Sequence, residues 1–202
     1  MVLAGEINKL LVLELAGCGA KAFGMCGADG LAVRCARASD LPGYPSTLGF
    51  VGKPTAADRG IFDMMLEAGL LPVVASIAAG EDFQAYNVNA DQMASVCAWS
   101  AGCDALIYLT DVAGVLDANG MVLQSIGRAD IEKLRAAGVI AGGMLPKTDS
   151  CLEALARGVS SVYILPGTAP DVLRKCIDGT LTEGTIIQAD SAGPQAPGSN
   201  HI

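Results

Sequence analysis

The segment Leu71-Pro72-Val73-Val74-Ala75-Ser76-Ile77 decides the fold, together with the helical pattern and the second apolar run that follow it. A short apolar run of this kind predicts a buried strand, and its proline stands near the entrance, where a missing N–H is tolerated. Asp91–Ser100 then has the pattern of a helix, and Ala105–Leu109 predicts the next strand. A strand, a helix and another strand in this order are typical of a parallel sheet flanked by helices.

The same alternation continues along the rest of the 202 residues. Further helices are predicted at Glu6–Ala16, about Thr55–Glu67, Ala129–Ala137, about Pro146–Arg157 and Pro170–Asp178. Further strands are predicted at Lys21–Met25, Leu31–Arg34, Leu48–Val51, Ser161–Leu165 and Gly184–Gln188. Turn signals stand at Gly27–Gly30 and Asp117–Gly120, and the residues from Ser191 onward predict a disordered tail. The chain is therefore predicted to be an α/β protein with a mainly parallel sheet.

The composition narrows the class of protein. Hydrophobic residues make up 51% and charged residues 17% of the chain, and the formal net charge is −8. This is typical of a folded globular protein and argues against disorder. No cluster of Lys and Arg is present, so binding of nucleic acid through its phosphates is not expected. No apolar run is long enough to cross a bilayer and no signal peptide is recognisable, so we expect no membrane association and a cytoplasmic location.

The seven cysteines are predicted to be reduced and mostly buried thiols. Their number is odd, no pair has the C-x-x-C spacing, and most stand inside apolar runs. A structural zinc site needs closely spaced ligands, and the only histidine is His201 in the tail. The sequence therefore predicts no metal centre.

Gly17–Ala22 has the form G-x-G-x-x-A, which is similar to a dinucleotide-binding fingerprint. That motif needs a strand before it and a long helix after it. Here the preceding segment has a helical pattern, and Gly24, Gly27 and Gly30 prevent a helix afterwards. We interpret the glycines as the end of a helix instead.

The segment Gly142-Gly143-Met144-Leu145-Pro146-Lys147-Thr148 is similar to a phosphate-binding P-loop, but it lacks the glycine directly before the lysine. Paired glycines let the backbone approach an anion, a proline starts a helix, and Lys147 then lies in the first turn. The alternative is a surface lysine after a flexible loop, and this segment alone favours that alternative.

Asn87, Asn89 and Asp91 alternate with the apolar Val88 and Ala90. In an extended segment this spacing places the three polar side chains on one face. They follow a strand and lead into a helix, near the carboxyl end of the sheet, where open α/β sheets bind ligands. Amide side chains donate and accept hydrogen bonds, which suits a substrate with a carboxylate and an amide. The alternative is that Asp91 caps the helix and the asparagines satisfy a turn.

The segment Thr110–Asp117 follows a predicted strand and carries two acids with a glycine between them. Asp111 could hold a nucleotide or a metal there. The segment could equally be a plain loop, and its spacing does not decide between these interpretations.

Taken in order, these segments resemble the amino-acid kinase family, and specifically the N-acetylglutamate kinases. The stretches that carry the resemblance are Gly5–Lys9, Gly27–Gly30, Gly49–Gly52, Leu71–Val74, Tyr86–Asp91, Leu109–Asp117, Gly142–Lys147 and Gly184-Thr185. They extend over nearly the whole chain apart from the tail. The resemblance implies a three-layer αβα sandwich with a mainly parallel open sheet, as in the amino-acid kinase and carbamate kinase folds.

The resemblance also implies an activity, the ATP-dependent phosphorylation of the side-chain carboxylate of N-acetyl-L-glutamate to an acyl phosphate in arginine biosynthesis. By motif match, Asn87 and Asn89 are expected to bind acetylglutamate. Asp91 is expected to orient catalytic lysines, and Lys147 to stabilise the transferring phosphoryl group. The expected nucleotide-binding residues are Asp111, Val112, Ala113, Gly114, Val115, Leu116, Val139, Ile140, Ala141, Gly142 and Gly143. Mg²⁺ is expected to be carried with ATP.

The resemblance further implies two lobes. Residues 1–104 are expected to be the remainder of an N-terminal acetylglutamate-binding lobe, residues 105–190 an ATP-binding lobe, and residues 191–202 the tail. The family begins with a strand that carries a second catalytic lysine, then a double-glycine turn and a substrate-binding arginine, which this sequence does not show. Several dozen residues of the family are therefore expected to be missing. Weak or no turnover is expected, since loss of one charge-stabilising donor costs on the order of 10²–10³ in rate.

Three residues depart from the family pattern: Phe83 replaces a glycine, Cys26 a serine and Pro166 an acid. Two other functions stay open. One is a related kinase that acts on aminoadipate carried on a protein, and the other is a non-catalytic ligand-binding or regulatory homologue. A homo-oligomer is the expected state, and the sequence does not reveal whether arginine or a regulatory protein partner controls it.

Overall fold

The structure is a computed structural model, and it describes residues 2–189. The chain divides into two compact units, the residues up to Cys103 and those from Asp104 onward. The predicted tail at 191–202, with His201, lies outside the described residues. Across residues 2–189, no helix has both the length and the apolar character needed to cross a membrane.

The first unit contains three α-helices and six strands within its described residues. The helices are α1 (Asn8–Gly17), which follows a π-helical segment at Val2–Ile7, α2 (Arg59–Glu67) and α3 (Ala90–Ala101). The strands are β1 (Ala22–Cys26), β2 (Val33–Arg37), β3 (Val51–Ala57), β4 (Leu71–Ala75), β5 (Ile77–Gly80) and β6 (Ala85–Val88).

Helix α1 packs on a parallel pair of strands formed by β1 and β4. Asn8 is buried, and its side-chain amide donates hydrogen bonds to the carbonyl oxygens of Met25 at 3.3 Å and Val73 at 2.8 Å. Gly24 lies against this amide, and a Cβ at that position would overlap the Asn8 side chain. One polar side chain therefore joins α1 to both strands.

Strands β2, β3, β6 and β5 close into a small barrel. The β2–β3 and β5–β6 pairs are antiparallel, whereas the β2–β5 and β3–β6 pairs are parallel. The core of the barrel contains Val33, Cys35, Tyr86 and Val88, and Met93 of α3 belongs to the same cluster. The apolar pattern did not predict this closure, because short strands read alike in a barrel and in an open sheet.

Two boundaries in the middle of the first unit were predicted wrongly. The predicted strand Leu48–Val51 stands too early, and the predicted helix should not begin near Thr55, because Val51–Ala57 is a single strand. Helix α2 begins at Arg59. Its N-cap is Asp58, whose carboxylate accepts a hydrogen bond of 2.9 Å from a backbone N–H of the first turn.

The predicted strand Leu71–Ile77 is in fact two strands that belong to different sheets. Strand β4 ends at Ala75, and β5 begins at Ile77. Between them, the carbonyl of Ser76 accepts a hydrogen bond of 2.9 Å from the N–H of Val88 in β6. The chain therefore leaves the β1–β4 pair at Ser76 and enters the barrel.

Two predictions based on glycines in the first unit are confirmed. Helix α1 ends at Gly17, and Gly19 has a φ of +89°, so Gly17–Gly19 is a helix C-terminus. Gly27–Gly30 forms a turn. That turn continues into a 3₁₀ helix at Asp29–Leu31, which is why β2 begins at Val33 rather than at Leu31.

The second unit contains four strands and three α-helices in its described part. They are β7 (Ala105–Thr110), β8 (Ser125–Ile126), α4 (Arg128–Ala136), α5 (Met144–Ala156), β9 (Ser161–Pro166), α6 (Val172–Ile177) and β10 (Thr185–Gln188). The strands form one sheet in the order β7-β9-β10-β8, in which β9–β10 is antiparallel and the other two pairs are parallel. Each helix and strand predicted in the second unit begins and ends within two residues of the observed one, although β8 was not predicted. The predicted α/β fold class is confirmed.

The cysteines are all free thiols in different environments. Cys26, Cys35 and Cys151 are buried, Cys97 and Cys176 are half-buried, and Cys18 and Cys103 are exposed. Burial raises the pKa of Cys35 to about 11 and the pKa of Cys97 to about 12. These two thiols are therefore uncharged and unreactive at neutral pH.

Candidate functional site

Strand β6 leads directly into helix α3, and two asparagines, one in the strand and one just after it, face solvent. Tyr86 and Val88 point into the barrel core and are buried, whereas Asn87 and Asn89 are exposed. The alternation predicted from the sequence is therefore present as far as Asn89.

Asn89 is the N-cap of α3. Its Oδ1 accepts hydrogen bonds from the backbone N–H groups of Asp91 at 2.9 Å and Gln92 at 3.2 Å. Because the helix begins at Ala90, Asp91 lies in its first turn and is half-buried. One expectation is thus corrected, because the three polar residues do not share one extended face. The alternative, a helix cap, is present, but the capping side chain is that of Asn89 rather than Asp91.

A cavity of about 370 Å³ opens in the second unit, between the loop after β7 and the loop before α5. Its lining residues are Val112, Ala113, Gly114, Val115, Leu116, Val139, Ile140, Ala141 and Met144. Eight of the eleven residues expected to bind nucleotide are among them, while Asp111, Gly142 and Gly143 are not, and Met144 is an addition. A mostly apolar lining and this volume are typical of a small-molecule site, for which the range is roughly 300–1,000 Å³.

The loop at 112–116 is fixed by a residue from the last strand. Thr185 is fully buried, and its hydroxyl oxygen accepts a hydrogen bond of 2.8 Å from the backbone N–H of Val115. Gly114 has a φ of +143°, and a Cβ at this position would lie only 2.7 Å from that hydroxyl. The glycine and the threonine therefore set the loop conformation together. Gly184-Thr185 carried part of the family resemblance, but no role was predicted for it.

The predicted turn at Asp117–Gly120 is confirmed, and it accounts for one of the two acids in this region. Asp117 Oδ1 accepts hydrogen bonds from the backbone N–H groups of Met121 and Asn119, each at 2.8 Å. These bonds, that from Met121 foremost, lower the pKa of the Asp117 carboxyl. Asp117 therefore serves the turn, while Asp111 is exposed at the start of the loop.

Lys147 lies in the first turn of α5, just after residues that line the cavity. Gly142 has a φ of +55°, which favours glycine, and the helix begins at Met144, two residues before the predicted start at Pro146. Pro146 is tolerated because the first N–H groups of a helix have no partner within the helix. The Nζ of Lys147 lies 5.0 Å from the centre of the Tyr108 ring, which is a cation–π contact.

The residues predicted to form the site fall into two groups. Asn87, Asn89 and Asp91 belong to the first unit, and Lys147 belongs to the second unit with the cavity. Their roles in substrate binding and catalysis stay predictions. The assignment of acetylglutamate to residues 1–104 and of ATP to residues 105–190 also stays a prediction.

The chain is similar in sequence to curated proteins named acetylglutamate kinase. A sequence profile described as the Amino acid kinase family matches residues 1–166. The chain is 42% identical over 189 residues to the acetylglutamate kinase of Acidobacterium capsulatum, covering 94% of this chain and 71% of that protein. It is 40% identical over 193 residues to the acetylglutamate kinase of Acidiphilium cryptum, covering 92% of this chain and 64% of that protein. The chain thus spans between 64% and 71% of the length of these two relatives.

The fold is also similar to that of a solved protein. The crystal structure of smu.665 from Streptococcus mutans UA159 matches with a TM-score of 0.76 at 28% sequence identity. The match covers 93% of this chain and 69% of that one. The profile, the curated sequences and the fold agree with the resemblance carried by the motifs, and this chain belongs to the amino acid kinase family.

Proposed function

We propose that this chain acts as an acetylglutamate kinase. In this role it transfers the terminal phosphoryl group of ATP to the side-chain carboxylate of N-acetyl-L-glutamate, giving an acyl phosphate in arginine biosynthesis. The names of the curated relatives support the substrate. The observation that carries the proposal is the cavity, whose lining extends to Met144, one helical turn before Lys147.

Lys147 is the residue proposed to stabilise the transferring phosphoryl group. It stands in the first turn of α5, where the helix N-terminus adds a partial positive charge. At Gly142 and Gly143, a Cβ would meet no atom within 4 Å, so the backbone there is open to an approaching anion. Positive charge beside open backbone suits a phosphoryl group in transfer.

The acceptor carboxylate needs no general base, because a carboxylate is already ionised at neutral pH. Asp91 is therefore proposed to orient catalytic lysines rather than to remove a proton. Asn89 uses its Oδ1 for the helix cap, so its amide nitrogen is the group proposed to donate to acetylglutamate. Asn87, exposed on β6, is proposed to supply a second amide.

ATP is proposed to occupy the cavity of the second unit, whose apolar lining suits the adenine ring. Within the range 2–189, no three side chains of His, Cys, Asp or Glu converge on a metal site. We therefore propose that Mg²⁺ arrives with the phosphates of ATP, where it retains waters and neutralises phosphate charge.

Two measurements test the proposal. Calorimetric titration with Mg-ATP and with N-acetylglutamate is expected to show that both bind. Trapping with hydroxylamine is expected to yield a hydroxamate at a low rate, and only when both are present. Hydroxamate from an aminoadipate substrate alone would favour the related kinase. Binding of both ligands without hydroxamate would favour the non-catalytic homologue.

A pair of lysine variants tests the role of Lys147. Lys147→Ala is expected to lower the rate of hydroxamate formation by about 10²–10³, the usual effect of losing one charge-stabilising donor. Lys133→Ala removes the same charge from α4, where the side chain is 78% exposed, and is expected to leave the rate unchanged. Equal rates for the two variants would show that Lys147 has no catalytic role.

A further inference from the structure

The side chain of Arg135 joins α4 to the start of α5. Its Nη2 donates hydrogen bonds to Thr148 Oγ1 and to Asp149 Oδ1, each at 2.6 Å. A third, longer contact of 3.4 Å reaches the carbonyl oxygen of Leu145. All three acceptors lie within the first two turns of α5.

These contacts lie partly out of solvent. Thr148 is fully buried, and the side chain of Arg135 is 26% exposed. The Nε of Arg135 is buried and has no hydrogen-bond partner among the described residues. The bonds to α5 therefore set the orientation of the guanidinium group.

The acceptors of Arg135 stand on both sides of Lys147 in the sequence. Leu145 precedes Lys147 by two residues, and Thr148 follows it directly. The hydroxyl of Thr148 also lies within hydrogen-bonding distance of the carbonyl oxygens of Met144, at 2.9 Å, and Leu145, at 3.0 Å. A side chain from α4 thus restrains the whole turn on which Lys147 stands.

We propose that Arg135 is a positioning residue, which fixes the first turn of α5 and so holds Lys147 over Tyr108 beside the cavity. An arginine suits this task, because its planar, rigid donor group binds a hydroxyl and a carboxylate at once. The connection to catalysis rests on the proposed kinase function. The placement of Lys147 does not.

The ring of Tyr108 provides a direct measurement of this placement. Protons held over the face of an aromatic ring resonate upfield, so the ε-methylene signals of Lys147 report its position above the ring. Arg135→Met removes the donors and keeps the apolar stem, and the upfield shift is expected to be lost. Turnover number is expected to fall about tenfold to a hundredfold with the KM for N-acetylglutamate unchanged, since misplacing a catalytic group by 1 Å has effects of this order.

Three further variants complete the test. Lys133→Met loses the same charge from the same helix and is expected to keep the wild-type Lys147 signals. Arg135→Lys keeps the charge without the planar group and is expected to restore part of the shift. If Arg135→Met does not fold, Asp149→Asn decides the matter, because Asp149 is 65% exposed and its loss should reduce the shift without unfolding the protein.

The inference would be overturned if the Lys147 signal were unchanged in folded Arg135→Met. If Arg135→Met does not fold, an unchanged signal in Asp149→Asn would overturn it. The signal can be read without turnover. Failure of the wild-type protein to bind ATP or acetylglutamate would therefore reject the proposed function and leave the role of Arg135 to be settled by the resonance alone.

Discussion

The hydroxyl of Thr185 accepts a buried hydrogen bond from the backbone N–H of Val115 at 2.8 Å, although the two residues are 70 positions apart. Thr185 is the first residue of β10, and Val115 lines the cavity. No water can replace the acceptor at a fully buried site, so a lost bond leaves the N–H of Val115 unsatisfied. The shape of the cavity therefore depends on a side chain outside its lining.

Thr185→Val replaces the hydroxyl by a methyl group of similar size. It is expected to lower the free energy of unfolding by about 1–3 kcal/mol, the cost of a buried donor without an acceptor. Affinity for Mg-ATP is expected to fall as well, because the loop at 112–116 loses its anchor. Urea denaturation and calorimetry measure the two effects. Thr185→Ser retains the hydroxyl and should lose less stability and less affinity for Mg-ATP. If its losses equal those of Thr185→Val, the hydrogen bond is not their cause.

Asn89 has an observed role as a helix cap and a proposed role in binding acetylglutamate, and two substitutions separate them. Asn89→Ala is expected to lower the free energy of unfolding by about 1 kcal/mol through loss of the cap. Asn89→Asp keeps an oxygen in the cap, so its stability should match the wild type. It replaces the amide donors by a negative charge, so calorimetry should show loss of acetylglutamate binding. Wild-type affinity in Asn89→Asp would remove Asn89 from the proposed site.

Phe83 occupies a backbone conformation that favours glycine. Its φ is +59°, and its side chain is 80% exposed in the turn between β5 and β6. Phe83→Gly is expected to raise the free energy of unfolding by about 0.5–1 kcal/mol, because relief of the left-handed strain exceeds the entropy lost by glycine. Gln84→Gly, next in the same turn, brings no such relief and should destabilise. Urea denaturation measures the stability of both variants. If Phe83→Gly is no more stable than wild type, the backbone at Phe83 is not strained.

The buried ring of Tyr86 contributes a pH-dependent bond, since its hydroxyl donates to Asp82 Oδ2 at 2.7 Å. This bond is the main cause of a lowered pKa for the Asp82 carboxyl and of a raised pKa for the Tyr86 phenol. Stability from a lowered carboxyl pKa is present above the unfolded value, about 4, and is lost as the pH falls through the folded value. Stability from the raised phenol pKa is present below about 10 and is lost as the pH rises through the folded value.

Tyr86→Phe is therefore expected to be less stable than wild type between about pH 5 and pH 9, where Asp82 is ionised and the phenol is protonated. The difference should shrink as acid protonates Asp82. Urea denaturation at a series of pH values measures it. In an Asp82→Asn background, the stability difference caused by Tyr86→Phe should no longer change with acid. A difference that stays constant down to about pH 2.5 would show that the Tyr86–Asp82 bond does not titrate.

The sequence predicted the second unit better than the first, for a physical reason. Strand β9 and helix α5 show a clear apolar period bounded by glycine, proline and polar residues, so local pattern located them. The break at Ser76, where the chain passes from the β1–β4 pair into the barrel, leaves no local mark, because both strands are apolar on each side of it.

The candidate site shows the same division between local and distant information. Asn87 and Asn89 were visible as an alternation, but the identity of the helix cap depended on whether α3 begins at Ala90 or at Gln92. The meeting of 112–116 with 139–141 around one cavity was expected only from the family resemblance. Thr185 gave no signal of its role, because a single long-range hydrogen bond has no period in the sequence.

Asn8 has a consequence for how α1 finds its place. The helix is apolar on most sides, with Leu10, Leu11 and Leu13 all exposed, so hydrophobicity gives it no preferred rotation about its own axis. Asn8 is its only buried residue among those described. The amide donates to the carbonyls of Met25 and Val73 over the bare backbone of Gly24, and turning or sliding the helix would break both hydrogen bonds. The buried Asn8 thus fixes the rotation and the axial position of α1 on the β1–β4 pair, which the leucines alone would leave undetermined.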